Sequence, residues 1–419
     1  MKKEHIKYIV RNITRKKKQT FFTVLTIFVS SFIILVNIAM NNGIRLNLKE
    51  GINQAISGQL TIYQSENPQM NILESRLQDQ IPFEWDNKAT EDLLNVVDDI
   101  QISKRIRFGS LVSYNEETSY LNIHALEKTH LLRMADLLHL NKDQLPLSNN
   151  TILLSESLAN DLNCGVGDTL LLVADNINDY MSDEIALVSG IFEEKGLATM
   201  LNYVGFVVYG FGQDIVQLNK NEDVELIINS TAKKEVTEKE IAKIEQYLHS
   251  LDQNISIASW EKTVPLLFKI VDVWKGGGYI TQVLFIIFSM VILVNLISLI
   301  IHSRRKEFGT LLATGFSWQR ITILICAEYM LLAIFSVFSA YILTLITITI
   351  LPDTGIYIAS KDMQTALMTE YLRLVVFFKN FIYTMLLFGL TTFFSSYLSI
   401  ARVKHLLPVQ LINTNYFVK

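Results

Sequence analysis

Four long uncharged runs constrain the fold of this chain more than any other feature. A helix needs about 20 apolar residues to cross roughly 30 Å of hydrocarbon, and such runs occupy 20–40, 279–301, 321–351 and 381–400. The first run is about twice as long as the apolar part of a signal peptide, and no small-x-small cleavage site follows it. We therefore expect four membrane spans, the first of them an uncleaved anchor.

Basic residues beside these runs predict the orientation, since Lys and Arg next to a span stay in the cytoplasm. Three segments are basic, namely 11–18, 304–320 and 402–419. Four spans return the chain to the side on which it started. The count and the charge therefore agree on a cytoplasmic location for both termini.

The formal net charge of -4 hides a division along the chain. The region 43–275 carries 19 basic and 35 acidic residues, so the remainder is basic. An anionic domain repels phosphates, which argues against a nucleic-acid partner. Cys164 in this external region and Cys326 in the third run cannot pair under the predicted topology.

The predicted fold is a membrane α-helical protein with four transmembrane helices and a large α+β extracytoplasmic domain inserted between helices 1 and 2. Its parts are a cytoplasmic basic N-terminal helix (1–19), helix 1 (20–42), the extracytoplasmic domain (43–275), helix 2 (276–302), a cytoplasmic loop (303–320), helix 3 (321–351), an external loop with the start of helix 4 (352–379), helix 4 (380–400) and a cytoplasmic tail (401–419). We name 303–320 the connecting loop.

Alternating or β-branched stretches predict strands in the external domain, at 58–64, 168–175, 184–192, 205–211 and 224–230. The stretch "TEKEIAKIEQYLHSLD" predicts a helix, because Thr237 and Glu240 have capping-box spacing and four apolar residues share one face: Ile241, Ile244, Leu248 and Leu251.

Glycines have predicted roles in this region and at its exit. The stretch "SESLANDLNCGVGDTLLL" predicts a helix ended at Gly165, followed by a turn and a strand. The run 276–278 is either a hinge or a permissive turn at the membrane surface.

Motifs for catalysis are absent from the sequence. There is no GxxxxGK[ST] phosphate loop, HExxH or GxSxG motif, and the seven histidines lack ligand spacing. We expect no catalytic residue, metal or cofactor on this chain. Glu328 is the clear ionisable residue inside a span, which disfavours a channel or an ordinary secondary transporter.

The connecting loop, "HSRRKEFGTLLATGFSWQR", mixes charge with glycine. Phe308, Leu311 and Leu312 are spaced to face an apolar surface from a short helix, Gly315 suits a left-handed stop, and Ser317 can cap the third span. Charged contacts at the rim would come from Arg304, Arg305, Lys306 and Glu307. On these residues alone, a plain cytoplasmic hairpin with positive-inside charge is an equal alternative.

This loop resembles the R-x-x-E-x-G-x-L-x-A-x-G-x-S element of FtsX/MacB-type permease subunits of ABC transporters. The matches are Arg304, Glu307, Gly309, Leu311, Ala313, Gly315 and Ser317, whereas Leu312 stands where the family often has a basic residue. The resemblance implies that the loop docks on a cytoplasmic ATPase subunit through Arg304, Arg305, Lys306, Glu307, Phe308, Gly309, Leu311, Leu312, Gly315 and Ser317.

Other segments extend the resemblance over most of the chain. "YIVRNITRKKKQTFFTVLTIFVSSFIIL", "LSESLANDLNCGVGDTLLL" and "ARVKHLLPVQLIN", with Pro408, are similar to family elements. "ISIASWEKTVPLL" is similar to the approach to the second span in lipoprotein-releasing LolC/LolE permeases. Four spans, a large external domain and no fused ATPase also resemble that group most closely.

The resemblance implies a machine in the bacterial cytoplasmic (inner) membrane. Its other components would be two separate ATPase subunits carrying ATP and Mg, a second permease chain, identical or homologous, and a lipoprotein or other amphiphilic cargo. One alternative is a mechanotransmitting regulator of an external enzyme. Another is a membrane-anchored adhesion or sensor module that functions without an ATPase. The sequence does not identify the residues that contact cargo.

A pair of polar residues is expected inside the membrane. Asn295 lies nine residues before Arg304, and Glu328 lies eight residues after Arg320, so at 1.5 Å per residue both lie roughly 12 to 14 Å above the loop. We hypothesise that Asn295 and Glu328 hydrogen-bond and make the two flanking helices move together. The alternative is that each separately reaches lipid headgroups or water.

We predict that substitution of Glu307 or Gly315 weakens both association with the ATPase and ATP-dependent activity. Co-purification and ATP turnover of the assembled complex measure the two effects. Unchanged association and activity would favour the adhesion or sensor alternative.

Overall fold

A computed structural model of the chain describes residues 15, 17–55, 57–64, 77, 80–138, 140–230, 236–251, 254–352, 355–367 and 369–403. Most of the predicted N-terminal helix and the tail from 404 onward, with Pro408, lie outside these residues. The chain divides into two compact units. The membrane unit draws on 1–43, 273–356 and 372–419, and the β-rich unit draws on 44–272 and 357–371.

The helices in chain order are α1 Lys17–Ala55, α2 Asn87–Val96, α3 Lys128–Leu137, α4 Glu156–Asp161, α5 Tyr209–Val216, α6 Glu238–Ser250, α7 Trp260–Thr263, α8 Pro265–Ser303, α9 Arg305–Ala313, α10 Trp318–Ile350, α11 Lys361–Leu367 and α12 Phe378–Val403. Two short 3₁₀ helices occupy Lys142–Gln144 and Gly196–Leu201.

The strands are β1 Leu60–Gln64, β2 Phe83–Glu84, β3 Ile100–Tyr114, β4 Glu117–Leu126, β5 Thr151–Ser155, β6 Thr169–Asp175, β7 Met181–Phe192, β8 Val204–Val208, β9 Glu222–Asp223, β10 Glu225–Ser230, β11 Ile255–Ser259, β12 Ile356–Tyr357 and β13 Tyr371–Leu372.

Four helices in the described part of the chain are long and apolar enough to cross a membrane, as the uncharged runs predict. They are Lys17–Asn53, Asp272–Ser303, Trp318–Ile350 and Phe378–Arg402. The first two are parts of longer helices, because α1 continues to Ala55 and α8 already begins at Pro265. The helices therefore extend past the predicted limits of 42 and 276.

The glycine run 276–278 lies inside α8, so the predicted turn at this position is wrong. A Cβ on Gly278 would lie only 2.9 Å from Oδ1 of Asn41 in α1. The missing side chain therefore allows α1 and α8 to approach closely, which is the use that membrane helices commonly make of small residues.

Helices α10 and α12 pack through small side chains. Ala333, Ser336, Ala340 and Thr344 recur every three or four residues on the buried side of α10, a spacing that brings membrane helices close together. The hydroxyl of Ser336 donates to the carbonyl of Leu332 within the same helix. Hydroxyls satisfied in this way can be buried at little cost.

One part of the β-rich unit is a split βαβ arrangement. The strand order β11-β1-β10-β3 is antiparallel throughout, and the connections β1-α2-β3 and β10-α6-β11 give the ferredoxin-like order. Leu93 of α2 and Ile244 and Leu248 of α6 are buried against Ile62 and Leu226 of the strands.

The other part is a closed six-stranded barrel. Strands β3, β4, β8, β5, β7 and β6 pair in that order, and β6 pairs again with β3. Alternate residues of these strands point into the barrel, so its interior contains Phe108, Leu121, Ile152, Leu172 and Val188. The long strand β3 belongs to both parts, since its first half pairs with β10 and its second half with β6.

The predicted strands at 58–64, 168–175, 184–192 and 224–230 are confirmed within a few residues by β1, β6, β7 and β10. The prediction for 205–211 is wrong at its end, because β8 ends at Val208 and α5 begins at Tyr209.

The predicted capping box is confirmed at the start of α6, where Thr237 and Glu240 each accept from the other's backbone N–H.

The predicted helix end at Gly165 is wrong. Helix α4 ends at Asp161, and Asn163 (φ 52°) takes the left-handed position instead. Asparagine tolerates this conformation because its short polar side chain can bond locally.

A buried ionic cluster joins β3 to β10 where the two parts of the unit meet. Nε of Arg105 donates to Glu225 at 2.7 Å, and Arg107 donates to the same carboxylate. Burial alone would raise the pKa of Glu225, but the charges of Arg107 and Arg105 lower it to about 2. His124 on β4 is also buried, and burial with the charges of Arg107 and Arg105 lowers its pKa to about 3.

We predict that stability of the β-rich unit falls between pH 6.5 and pH 5, because unfolded His124 binds a proton that the folded form excludes. The loss from this group is about 2 kcal/mol over that interval and is absent above pH 6.5. Thermal unfolding of the full-length protein, compared with His124→Gln, measures it. Parallel pH profiles for the two proteins would contradict the prediction.

Candidate functional site

The connecting loop folds as a short helix between two spans. Helix α8 ends at Ser303, α9 occupies Arg305–Ala313, and Gly315 takes the left-handed conformation (φ 92°), as predicted. The N–H of Gly315 donates to Leu312 O, and that of Phe316 donates to Leu311 O, both at 3.0 Å. These two bonds form a Schellman motif, which fixes the exit direction of the chain.

Ser317 then caps α10, because its Oγ accepts from the N–H of Arg320. Phe308 anchors α9 from the other side. Its ring is almost completely buried in a cluster that includes Ile27 of α1, Ile301 of α8 and Ile325 of α10. Leu311 and Leu312 are half-buried against the same cluster, in agreement with the predicted apolar face.

Arg304 has a different position from the one that the sequence predicts. It is 3% exposed and does not lie at the rim of the loop. Its Nη1 donates to both carboxylate oxygens of Glu328 at 3.1 Å, and its Nε donates to Glu307 at 3.2 Å. Its guanidinium also lies over the ring of Phe308, 5.5 Å from the centroid.

This arrangement satisfies a carboxylate inside a span, which would otherwise be costly. It joins the end of α8 to α10 by a charged hydrogen bond and to α9 by another. A cavity of about 10 Å³, enough for roughly one water molecule, lies beside the pair and is lined also by Gln19, Thr20 and Thr23 of α1.

The predicted bond between Asn295 and Glu328 is wrong. Asn295 lies on the exposed face of α8, whereas Glu328 is buried and bonds Arg304. Side chains of a helix tilt toward its N-terminus, so Arg304 at the end of α8 and Glu328 near the start of α10 extend toward each other. The lengths of both side chains bridge the axial distance that appeared to separate them.

The sequence contained a signal for this pair. A buried carboxylate requires a positive partner, and Arg304 is the basic residue adjacent to the end of the second span. The sequence-based prediction places Arg304 at the rim of the loop with its charged neighbours, and it therefore misses this pairing. The side of α9 that faces away from the spans is mainly Lys306, Thr310, Ala313 and Thr314, all exposed.

A second candidate surface lies on the outside of the barrel. Strands β4, β3, β6 and β7 present a row of apolar side chains there, linked by the cross-strand pairs Leu111–Tyr120 and Leu171–Ile185. We name this surface the outer barrel face. Its exposed apolar members are Leu111, Tyr120, Leu171, Met181, Ile185 and Leu187. An open cavity of about 410 Å³ adjoins it, lined partly by Tyr120 and Met181.

Residues 279–408 match the family model of the FtsX-like permease C-terminal domain. The matched segment begins in α8 and covers about a third of the chain. It contains the connecting loop, Arg304 and Glu328. This segment is therefore similar to the C-terminal domain of FtsX-like permeases, in agreement with the resemblance of the loop motif.

No curated protein matches the chain. Among solved structures, the chain is similar to the periplasmic region of MacB from Actinobacillus actinomycetemcomitans, with 13% identity, a TM-score of 0.34, and coverage of 53% of this chain and 98% of that one. It is also similar to the extracellular domain of the noncanonic ABC-type transporter YknZ from Gram-positive bacteria, with 11% identity, a TM-score of 0.32, and coverage of 48% and 99%.

We predict that Arg304→Gln and Glu328→Gln each destabilise the protein by about 3 to 5 kcal/mol, because each leaves a buried charge without its partner. The double variant should cost much less than the sum of the two. Thermal unfolding in detergent measures all three, with Glu307→Gln as the matched control, since Glu307 is partly exposed. Additive losses would show that the pair is not coupled.

Proposed function

We propose that this chain is the permease subunit of an ABC transporter, driven by separate ATPase subunits, and that it releases lipoproteins from the membrane. The observation that carries the proposal is the attachment of α9 to α10 through Arg304 and Glu328. A short helix held by a buried ion pair and by Phe308 can transmit force, whereas a loosely attached hairpin would absorb it.

The exposed side of α9 is the surface that an ATPase would contact. Lys306 and Thr310 are available there, while Arg304 and Phe308 hold the helix from behind. When two ATPase subunits close on ATP and Mg, displacement of α9 would tilt α8 and α10 as one body. We expect this movement to reach the β-rich unit through α8, which continues without a break from Pro265 to Ser303.

In this proposal both termini and the connecting loop lie in the cytoplasm, and the β-rich unit lies outside the bacterial inner membrane. Basic residues concentrated beside the spans and acidic residues concentrated in 43–275 support that orientation.

The outer barrel face is the observation that supports an amphiphilic cargo in this proposal. Exposed apolar side chains that form one continuous patch commonly mark a binding surface. Removal of an acyl chain from a bilayer costs about 0.8 kcal/mol per CH₂, which exceeds what a weak protein contact supplies. Coupling to ATP hydrolysis would meet that cost, with the apolar patch receiving the extracted lipid.

The same patch also fits the alternative function, in which the machine regulates an external enzyme that docks on the β-rich unit. The two functions predict different bound molecules. A transporter should retain acylated polypeptide or lipid on purification, whereas a regulator should retain a specific protein without lipid.

We predict that the double variant Arg304→Gln/Glu328→Gln, which leaves neither buried charge unpaired, separates ATP hydrolysis from cargo release. In the complete complex, purified from native membranes and placed in nanodiscs, the variant should keep its ATPase subunits and hydrolyse ATP. Release of a fluorescent acylated peptide should fall at least tenfold, because α9 no longer moves α10. The matched control is Arg320→Gln, which removes an exposed arginine of the same loop and should release normally.

The cargo is tested in the same system with Leu171→Gln/Ile185→Gln on the outer barrel face. This variant should lose release while keeping hydrolysis. Normal release by Arg304→Gln/Glu328→Gln would contradict the coupling role. If the purified complex holds a specific external enzyme and no lipid, regulation replaces transport as the function.

A further inference from the structure

Residues 369–375, which follow α11 and lead into the last span, are bound to the side of α1. We name them the return segment. The N–H of Val375 donates to Ala39 O of α1 at 3.0 Å. The carboxamide nitrogen of Asn42, about one turn further along α1, donates to Val375 O at 3.1 Å and to Oδ1 of Asn380 at 3.2 Å. The end of the return segment and the start of α12 are therefore both held by α1.

Gly43 permits the closest contact between α1 and the return segment. A Cβ at this position would overlap the carbonyl oxygen of Arg373, so any side chain would displace the return segment. Inside a helix, glycine is less favourable than alanine because it loses more backbone freedom on folding. The close approach of a second backbone is the physical reason for a glycine at this point of α1.

Asn47 makes the same kind of contact four residues beyond Gly43. Its carboxamide nitrogen donates to the carbonyl of Tyr371 at 2.8 Å and to the hydroxyl of Thr369 at 3.2 Å. These three residues belong to the β-rich unit, whereas Gly43 and Arg373 belong to the membrane unit. Helix α1 runs through both units without a break and holds the return segment in each of them.

The segment 357–371 also packs against the barrel within the β-rich unit. Helix α11 lies against the 3₁₀ helix Gly196–Leu201, which is largely buried and connects β7 to β8. A Cβ at Gly196 would lie 3.3 Å from the backbone nitrogen of Glu370. This part of the connection between α10 and α12 is therefore folded into the β-rich unit.

The spans on either side of this connection are tied to the connecting loop. Glu328 of α10 accepts from Arg304 at the end of α8, and Arg304 also donates to Glu307 of α9. Helix α12 packs along α10. A displacement of α9 that tilts α10 therefore moves α12 and the return segment as well.

We propose that Asn42, Gly43 and Asn47 form a clamp on the return segment, and that this clamp passes movement of α10 and α12 to the β-rich unit. The inference rests on the proposed function, because it takes α9 as the place where force enters. Two carboxamides on either side of a backbone contact resist both sliding and separation of the return segment. The clamp thus adds a second connection to the one through α8, and its residues act by positioning the return segment.

Amide hydrogen exchange of the full-length protein in nanodiscs tests the clamp itself. Gly43→Ala should increase exchange of the peptide 369–377 about tenfold, because the added methyl group displaces the backbone at Arg373. Gly389→Ala is the matched control, since it also lies inside a membrane helix and a Cβ there has no described atom within 4 Å. Alanine is the better helix former at both positions, so helix propensity alone predicts no loosening. Unchanged exchange of 369–377 in Gly43→Ala would overturn the inference.

The hydrogen bonds are tested with an isosteric change. Asn47→Asp keeps the shape of the side chain but cannot donate to Tyr371 O or to Thr369, so exchange of 369–377 should rise as in Gly43→Ala. Asn47→Gln retains the donor and should loosen the segment less. Equal exchange for Asn47→Asp and the unaltered protein would show that Asn47 does not hold the return segment.

The coupling role is tested in the complete complex by adding ATP and following exchange of the peptide 196–201. ATP should change this exchange in the unaltered complex. Gly43→Ala and Asn47→Asp should reduce the change about threefold while ATP hydrolysis continues at its normal rate, and Gly389→Ala should leave both unchanged. A full response in both clamp variants, or no response in the unaltered complex, would overturn the coupling role. Failure of the proposed function is separable, because it is measured by cargo release in Arg304→Gln/Glu328→Gln, and none of these exchange measurements involves cargo.

Discussion

The contact between Arg304 and Glu328 is the interaction on which the membrane unit depends. Two opposite charges are withdrawn from water where α8 ends and α10 begins, and neither could remain there alone. Nη1 of Arg304 donates to both carboxylate oxygens of Glu328, Nε donates to Glu307, and the guanidinium lies over the ring of Phe308. A helix placed between these groups cannot rotate freely, because rotation would expose a charge to an apolar surface. This restriction makes α9 suitable for transmitting force.

The β-rich unit has its own ionic junction, and it serves a different purpose. Glu225 of β10 receives Arg105 and Arg107 of β3 at the place where the split βαβ part continues into the barrel. Because β3 is shared, the two parts cannot separate without breaking both this cluster and the strand pairing. The two parts are therefore held together as one body, and the apolar row lies exposed on the outside of the barrel.

Polar groups in the described parts of the spans have different physical roles. In α10, the hydroxyls of Ser336 and Ser339 bond the carbonyls of their own helix and permit close packing. Ser298 of α8 bonds Ser399 of α12, and the Arg304–Glu328 pair joins the end of α8 to α10. Local packing and attachment of the loop thus rest on different side chains within one membrane unit.

Local sequence patterns determined much of the secondary structure of this protein. The length of the uncharged runs determined the four spans, and the capping residues determined where α6 begins. Gly315 and Ser317 determined the turn between α9 and α10. Each of these features depends on contacts within a few residues of the chain. The similarity of residues 279–408 to FtsX-like permeases was also readable from the loop motif. Asn163 in place of Gly165 and the continuous helix through Gly276–Gly278 were not readable, since packing overrides weak local preferences.

Only the tertiary structure decided which distant residues meet. Arg304 and Glu328 are separated by a helix and a turn, and their pairing depends on the tilt of two side chains toward each other from different helices. The direction in which Asn295 faces depends on which side of α8 packs against α1, α10 and α12. Leu171 lies in an unbroken apolar run, a pattern that predicts a strand buried on both faces. Closure of the barrel instead leaves Leu171 on its outer surface. These outcomes are set by which faces the neighbouring elements cover, and no single stretch of sequence specifies that.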